Sequence, residues 1–312
     1  MKWLKQRYQN LETNKYFKSI MKYFLILSLS IISLLASEAF INPSELKHSL
    51  DDKKLIVIDV ADLAIYKQGH IEGALHCDVN KFIKKENNPY SLMDSTKIIE
   101  QELRKLGINQ DSKVIIYAHN TQKGILNTSY LAFILLYSGF ENLSILDGGY
   151  MAWVFENELL TSSIKSTAQD EGNIVVNINP NLLASMEEVH KNLASTPVLD
   201  ARSAQMYYGT ERSTGVATVG HISHAKSSYY GDKFLRDSTL REQKELDEIY
   251  IYGHGLKESD EVIVYGDNVF TASMEFYILY KHMGFKNTKL YEASLLEWGN
   301  TLDLPMTRFK WE

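Results

Sequence analysis

One thiol stands in the 312 residues, Cys77, with His76 beside it. A single cysteine rules out an intrachain disulfide and a cysteine-rich metal site, and it confines thiol chemistry to one position. Cys77 reads in two ways: as a small buried hydrophobe, or as a relocated nucleophile assisted by His76. His221 and His224 have a spacing that suits a metal on one face. No carboxylate or third histidine has ligand spacing nearby, and no metal or cofactor is expected. The polar loop Ala118-His119-Asn120-Thr121-Gln122-Lys123-Gly124 is a candidate phosphate- or anion-binding loop, with Lys123 as its charge.

These residues sit in a chain that alternates short apolar runs with amphipathic stretches, the pattern of a parallel α/β sheet. Leu55-Ile56-Val57-Ile58-Asp59 predicts a strand ending in an acid, and Val198-Leu199-Asp200 repeats it. Each leads on to Gly-His-Ile, at Gly69-His70-Ile71 and Gly220-His221-Ile222. Val114-Ile115-Ile116-Tyr117 then precedes a polar loop, an apolar helix, Gly139-Phe140, a strand and Trp153. Val262-Ile263-Val264-Tyr265 precedes the same series, ending in Gly284-Phe285, a strand and Trp298. Two copies in one order mean a duplicated domain. Cys77 falls on a predicted strand segment. The cluster Met274, Phe276, Tyr277, Tyr280 and Met283 has helical spacing and predicts the core face of the helix after Tyr265. Lys233 to Glu248 carries both signs of charge and reads as a solvated helix or loop over the site mouth.

The expected boundaries are 1–39 for a signal peptide with or without an upstream extension, 40–160 for the first domain, 161–172 for a linker and 173–312 for the second domain. Tyr23 to Leu35 is an apolar run of signal-peptide length, and Ser37-Glu38-Ala39 offers small residues for cleavage after Ala39. Met21 begins a complete signal peptide by itself. An uncleaved anchor with a basic tail is the competing reading, and the membrane would then be met only through this segment. Export to a periplasm or cell envelope is expected. The net charge is −6 with 33 basic and 39 acidic residues. Residues 1–39 carry +4, and removing +4 from −6 leaves −10 on the rest. That balance argues against nucleic acid as a partner, since phosphate neutralisation needs clustered Lys and Arg.

The order of motifs over roughly residues 42–310 resembles the tandem-domain rhodanese family, the thiosulfate and 3-mercaptopyruvate sulfurtransferases. The resemblance is carried by Asp200-Ala201-Arg202-Ser203, both Gly-His-Ile motifs, Leu146-Asp147-Gly148-Gly149 with Ala152-Trp153, and Glu297-Trp298-Gly299 with Leu304-Pro305. It implies two α/β rhodanese-like domains, each a small parallel sheet flanked by helices, in a pseudo-twofold arrangement. The second domain would hold the active site and the first would wall it. The family's thiolate takes a sulfane sulfur as a persulfide and passes it to a nucleophile. It sits where amides and a helix dipole favour negative charge.

The family pattern Cys-Gly-Ser-Gly-Val-Thr falls on Gly266-Asp267-Asn268-Val269-Phe270-Thr271. Gly266 stands in place of the nucleophile, so no catalytic residue is expected by the family mechanism. Asp267 puts a carboxylate where an anion would bind, and Val269 replaces a glycine, making a left-handed loop costly. Of two substrate-carboxylate arginines implied by the resemblance, one position is Met206, and Arg212 is the possible retained anion contact. The first domain's loop is longer and also lacks cysteine. A phosphatase of the related fold would need the same missing thiolate. The expected function is a catalytically degenerate binding module, with a small sulfur-containing anion or a sulfur-metabolism protein as partner. The alternative is an active sulfurtransferase working by a non-standard route through Cys77.

Overall fold

Continuous apolar runs become central strands here because helices cover both faces of a parallel sheet. A computed structural model describes residues 38–84, 93, 95–157, 161–164, 166–168 and 170–312. Residues 1–37, including the apolar run Tyr23–Leu35, lie outside the described residues. Among those described, no helix is long and apolar enough to cross a membrane.

The first half begins with β1 (Phe40–Ile41) and α1 (Pro43–Ser49). Asn42 caps α1 by accepting from the Glu45 N–H while Glu45 accepts from the Asn42 N–H. Next come β2 (Leu55–Asp59), α2 (Leu63–Tyr66), β3 (His70–Ile71), β4 (Leu75–His76) and α3 (Thr96–Lys105). β5 (Lys113–Tyr117), α4 (Gln122–Tyr137), β6 (Leu143–Leu146), α5 (Gly149–Asn157) and β7 (Thr161–Ser162) complete this lobe. The second half runs α6 (Met186–Asn192), β8 (Val198–Asp200), α7 (Ala204–Tyr208), β9 (His221–Ile222), β10 (Lys226–Ser227) and α8 (Gln243–Asp247). It ends with β11 (Val262–Tyr265), α9 (Val269–Tyr277), β12 (Thr288–Leu290), α10 (Ser294–Trp298) and β13 (Met306–Thr307).

The duplication read from the sequence is a duplication of topology. The first sheet has the parallel order β1-β6-β5-β2-β4, and the second has β12-β11-β8-β10. Four strands therefore repeat in one order. The place of β1 is taken in the second lobe by a parallel bridge from Leu183 to Leu290. Each Gly-His-Ile strand pairs antiparallel with a later segment, β3 with β7 and β9 with β13. In each, the histidine ring stacks on a tyrosine, His70 on Tyr66 at 3.8 Å and His221 on Tyr207 at 3.7 Å. Each Nδ1 meets that tyrosine's carbonyl at 2.8 Å. Both histidines are thus held as buried framework groups.

The two lobes share one apolar core, built where the helix after each loop meets its counterpart. On α4, Phe133 packs edge-on against Phe276 of α9 with centroids 5.0 Å apart. Tyr130 lies 4.3 Å from Phe270, and the Tyr277 hydroxyl donates to the Ala39 carbonyl at 2.6 Å. Met274, Phe276, Tyr277, Tyr280 and Met283 are all buried, as their helical spacing implies.

The stretch read as a linker runs along the first lobe. Thr161–Ser162 is β7, Ser166 bridges to Leu75, and the Gly172 N–H donates to the Arg104 carbonyl at 2.8 Å. Ile174-Val175-Val176 has no strand partner. The Ile174 N–H donates to the Ile108 carbonyl at 3.1 Å, and side chains add to it, with Arg104 Nε donating to the Ile174 carbonyl and Glu100 accepting from the Val176 N–H.

Candidate functional site

A strand that ends at the sheet's C-terminal edge and turns straight into a helix aims backbone amides at the space between them. β11 ends at Tyr265, and α9 begins at Val269, so Gly266 to Asn268 form that turn. Gly266 is buried, and the turn is fastened on three sides. Its N–H donates to Ser294 Oγ at 3.1 Å, and its carbonyl accepts from Leu295. The Asp267 carbonyl accepts from Leu296 at 3.1 Å. Asn268 is extended (φ −157°) and caps α9, its side chain accepting from the Phe270 N–H at 3.0 Å. No residue from 266 to 271 has a positive φ, which agrees with valine at 269.

Position 266 has no room for a side chain. A Cβ there would lie 2.6 Å from Thr271 Cβ and 2.9 Å from the Ala272 nitrogen. Neither is the free end of a flexible group. The first turn of α9 has closed over the place where a nucleophile would project.

The Asp267 carboxyl fills the neighbouring space. It accepts from Ser213 Oγ, and burial raises its pKa above the ordinary carboxylate value, opposed by Ser213 and Arg202. Arg202 is itself neutralised. Its guanidinium binds Asp200 at 2.6 Å, and it also donates to Ser213 Oγ at 3.1 Å and the Gly220 carbonyl at 2.8 Å. Asp200 additionally accepts from the Tyr265 hydroxyl at 2.6 Å. An Asp–Arg–Ser–Asp chain of buried polar groups therefore underlies the loop.

Sequence reading noted Asp200 and Arg202 only as motif members, and it missed Ser213 and Ser294. Ser213 lies 54 residues from Asp267, beyond any local pattern. Arg212, the expected anion contact, is exposed and lines a separate groove that none of the residues 266–271 lines.

Cys77 lies in the other lobe. Its N–H donates to the Asp59 carbonyl at 2.9 Å, one residue past β4. The side chain is buried, and desolvation pushes its thiol pKa up to about 12. His76 does not assist it, since its Nε2 is engaged by the Ala61 carbonyl at 2.8 Å.

The first lobe's loop departs from an anion cradle as well. Thr121 caps α4 by accepting from the Gly124 N–H, and Lys123 is paired with Asp62 at 2.5 Å. His119 stacks on Tyr150 and faces the buried Asp59 carboxylate at 4.0 Å. Ala61 occupies the place of Arg202, two residues after the strand-end acid. The charge-dense segment covers this lobe's loop: Phe234 and Ser238 line a small pocket with His119 and Asn120, and the Leu240 N–H donates to Asp147 at 2.7 Å. Lys233 is not solvated. It is buried against Glu275 at 3.3 Å. The solvated reading of this segment fails there because the buried Glu275 carboxylate on α9 supplies its counter-charge.

Two parallel α/β lobes with a strand–turn–helix site in the second define the class as a tandem rhodanese fold. The rhodanese-like domain model matches residues 42–156 and again 185–301, and the chain belongs to that family. It is 28% identical over 288 residues to the 3-mercaptopyruvate sulfurtransferase of Escherichia coli strain K12, covering 87% of this chain and 98% of that one. It is 24% identical over 292 residues to the sulfur carrier protein TtuD of Thermus thermophilus, covering 87% and 97%. The solved 3-mercaptopyruvate sulfurtransferase SseA of Escherichia coli superposes with a TM-score of 0.70 at 23% identity, covering 83% of this chain and 99% of that structure.

Proposed function

We propose that this protein is an exported, non-catalytic member of the rhodanese family that binds a small sulfur-containing anion or a sulfur-metabolism protein. The reading rests on position 266, which has neither a sulfur nor space for one. It is supported by Asp267, whose carboxyl takes the space beside the loop, and by Cys77, whose burial keeps it a thiol at neutral pH. The relatives named as sulfurtransferases and as a sulfur carrier support sulfur metabolism as the setting. Export is proposed from the apolar run and small residues before position 40.

The test is cyanide-dependent turnover of thiosulfate and of 3-mercaptopyruvate. No thiocyanate above the protein-free blank is expected. After donor treatment, intact mass should show no species about 32 Da heavier, the persulfide increment. Turnover abolished by Cys77→Ser, or that added mass on Cys77, would overturn the reading.

A further inference from the structure

The positive charge available in the second lobe lies outside the loop. Arg202 is spent on Asp200, whereas Arg212 and Arg308 are both exposed and neither hydrogen bonds nor pairs with a carboxylate among the described residues. The two line one groove of about 310 Å³ together with Thr218, Val219, Ala217 and Met306, a lining without an acid.

The groove is held by rigid backbone. Arg308 follows β13, which pairs with β9, and the next N–H, that of Phe309, donates to the Tyr208 carbonyl at 2.8 Å. Its Cβ packs on Gly209 and Gly220, both in the left-handed region, where added Cβ atoms would sit 3.1 and 3.0 Å from it. On the other wall, Thr218 donates to the Gly299 carbonyl and the Ala217 N–H donates to Asn300.

An aromatic shelf adjoins the groove. The Arg308 guanidinium lies over the Phe309 ring at 5.4 Å, and Phe309 meets Tyr208 at 5.8 Å. Tyr208 stacks on Trp311 at 5.5 Å. Trp311 also stacks on Tyr207 at 5.1 Å, yet Phe309 is 55% exposed and Trp311 56%, so each keeps about half of its surface in solvent. Exposed aromatic rings at that density, beside unpaired guanidiniums, suit a ligand with a charged head and a flat apolar body.

We infer that Arg212, Arg308 and the Phe309–Trp311 shelf form a binding site for a small organic oxyanion, with a phospho or sulfo head on the arginines and an apolar body on the rings. The site deepens the proposed binding role and rests on it. A guanidinium fork suits the two oxygens of such a head, and two forks without a competing acid favour the anion over any cation.

Calorimetric titration of the full chain with inorganic phosphate and with phenyl phosphate at low salt tests it. Phenyl phosphate should bind about fivefold tighter than phosphate, through ring contact. Arg212→Gln and Arg308→Gln should each weaken both probes about tenfold, while Lys123→Gln, on the first lobe, leaves them unchanged. Trp311→Ala should remove the preference for the phenyl ester. Absence of heat for either probe, or equal affinity in the two arginine variants and the parent, overturns the site but leaves the missing turnover untouched. Sulfur transfer by the protein would instead overturn the non-catalytic role, whatever the groove binds.

Discussion

Replacing Gly266 by alanine puts a methyl group where the nucleophile would stand, and the structure specifies what that carbon meets. The added Cβ would stand 2.6 Å from Thr271 Cβ, 3.0 Å from Thr271 Cγ2 and 2.9 Å from the Ala272 nitrogen. Relief needs movement of the turn or of α9. The turn is tied through Ser294, Leu295 and Leu296, and α9 buries Val269, Ala272 and Ser273. Overpacking of this kind costs about 1–3 kcal/mol. With a urea dependence of about 3 kcal/mol per M, the unfolding midpoint should fall by roughly 0.3–1 M. Circular dichroism across a urea series reads it directly. Thr271→Gly removes the nearest carbon, so the penalty of Gly266→Ala should shrink by about 1 kcal/mol or more in that background. Gly266→Cys should lose the same stability and gain no thiocyanate turnover. A Gly266→Ala protein as stable as its parent, or a penalty indifferent to Thr271→Gly, would refute the claim that the site is closed.

Three further outcomes follow from buried groups. With its pKa pushed up to about 12, Cys77 should react with a thiol reagent at pH 8 about a thousandfold more slowly in the native protein than in denaturant, and rapid native labelling contradicts its burial. Lys233→Met should destabilise the fold by about 3–5 kcal/mol by leaving Glu275 buried without its cation, and Lys233→Met with Glu275→Leu should recover much of the loss in chemical denaturation. Burial first, then Lys233 and Lys226, lowers the His254 pKa from 6.5 to about 4. His254 is therefore neutral when folded, and its contribution is fully present above pH 6.5 and lost as pH falls toward 4. That loss amounts to at most about 3 kcal/mol, and thermal melts of the parent and of His254→Gln between pH 7 and pH 4 should converge if it is real.

The sequence carried the fold because its strands, turns and repeat are local patterns. Val114–Tyr117 and Val262–Tyr265 are apolar runs of strand length rich in β-branched residues, and their repetition predicts the duplicated unit that the two sheets show. It also located the loop and the absent thiol, since a missing side chain is a fact of sequence. What it left open was whether position 266 is an empty pocket or a filled one. That depends on how far α9 closes on the turn, and on Ser213 and Ser294, which reach the loop from 54 and 28 residues away. The role of Cys77 was similarly open, because its reactivity depends on burial, and burial belongs to the packed sheet edge and not to the residues beside it. Arg212 looked like a site residue from its position in the chain, yet the structure points it into a groove shared with Arg308, 96 positions on by numbering. Chain order determined which groups this protein has and lacks; only long-range packing decided which of them face one another, because contact free energy depends on distance in space.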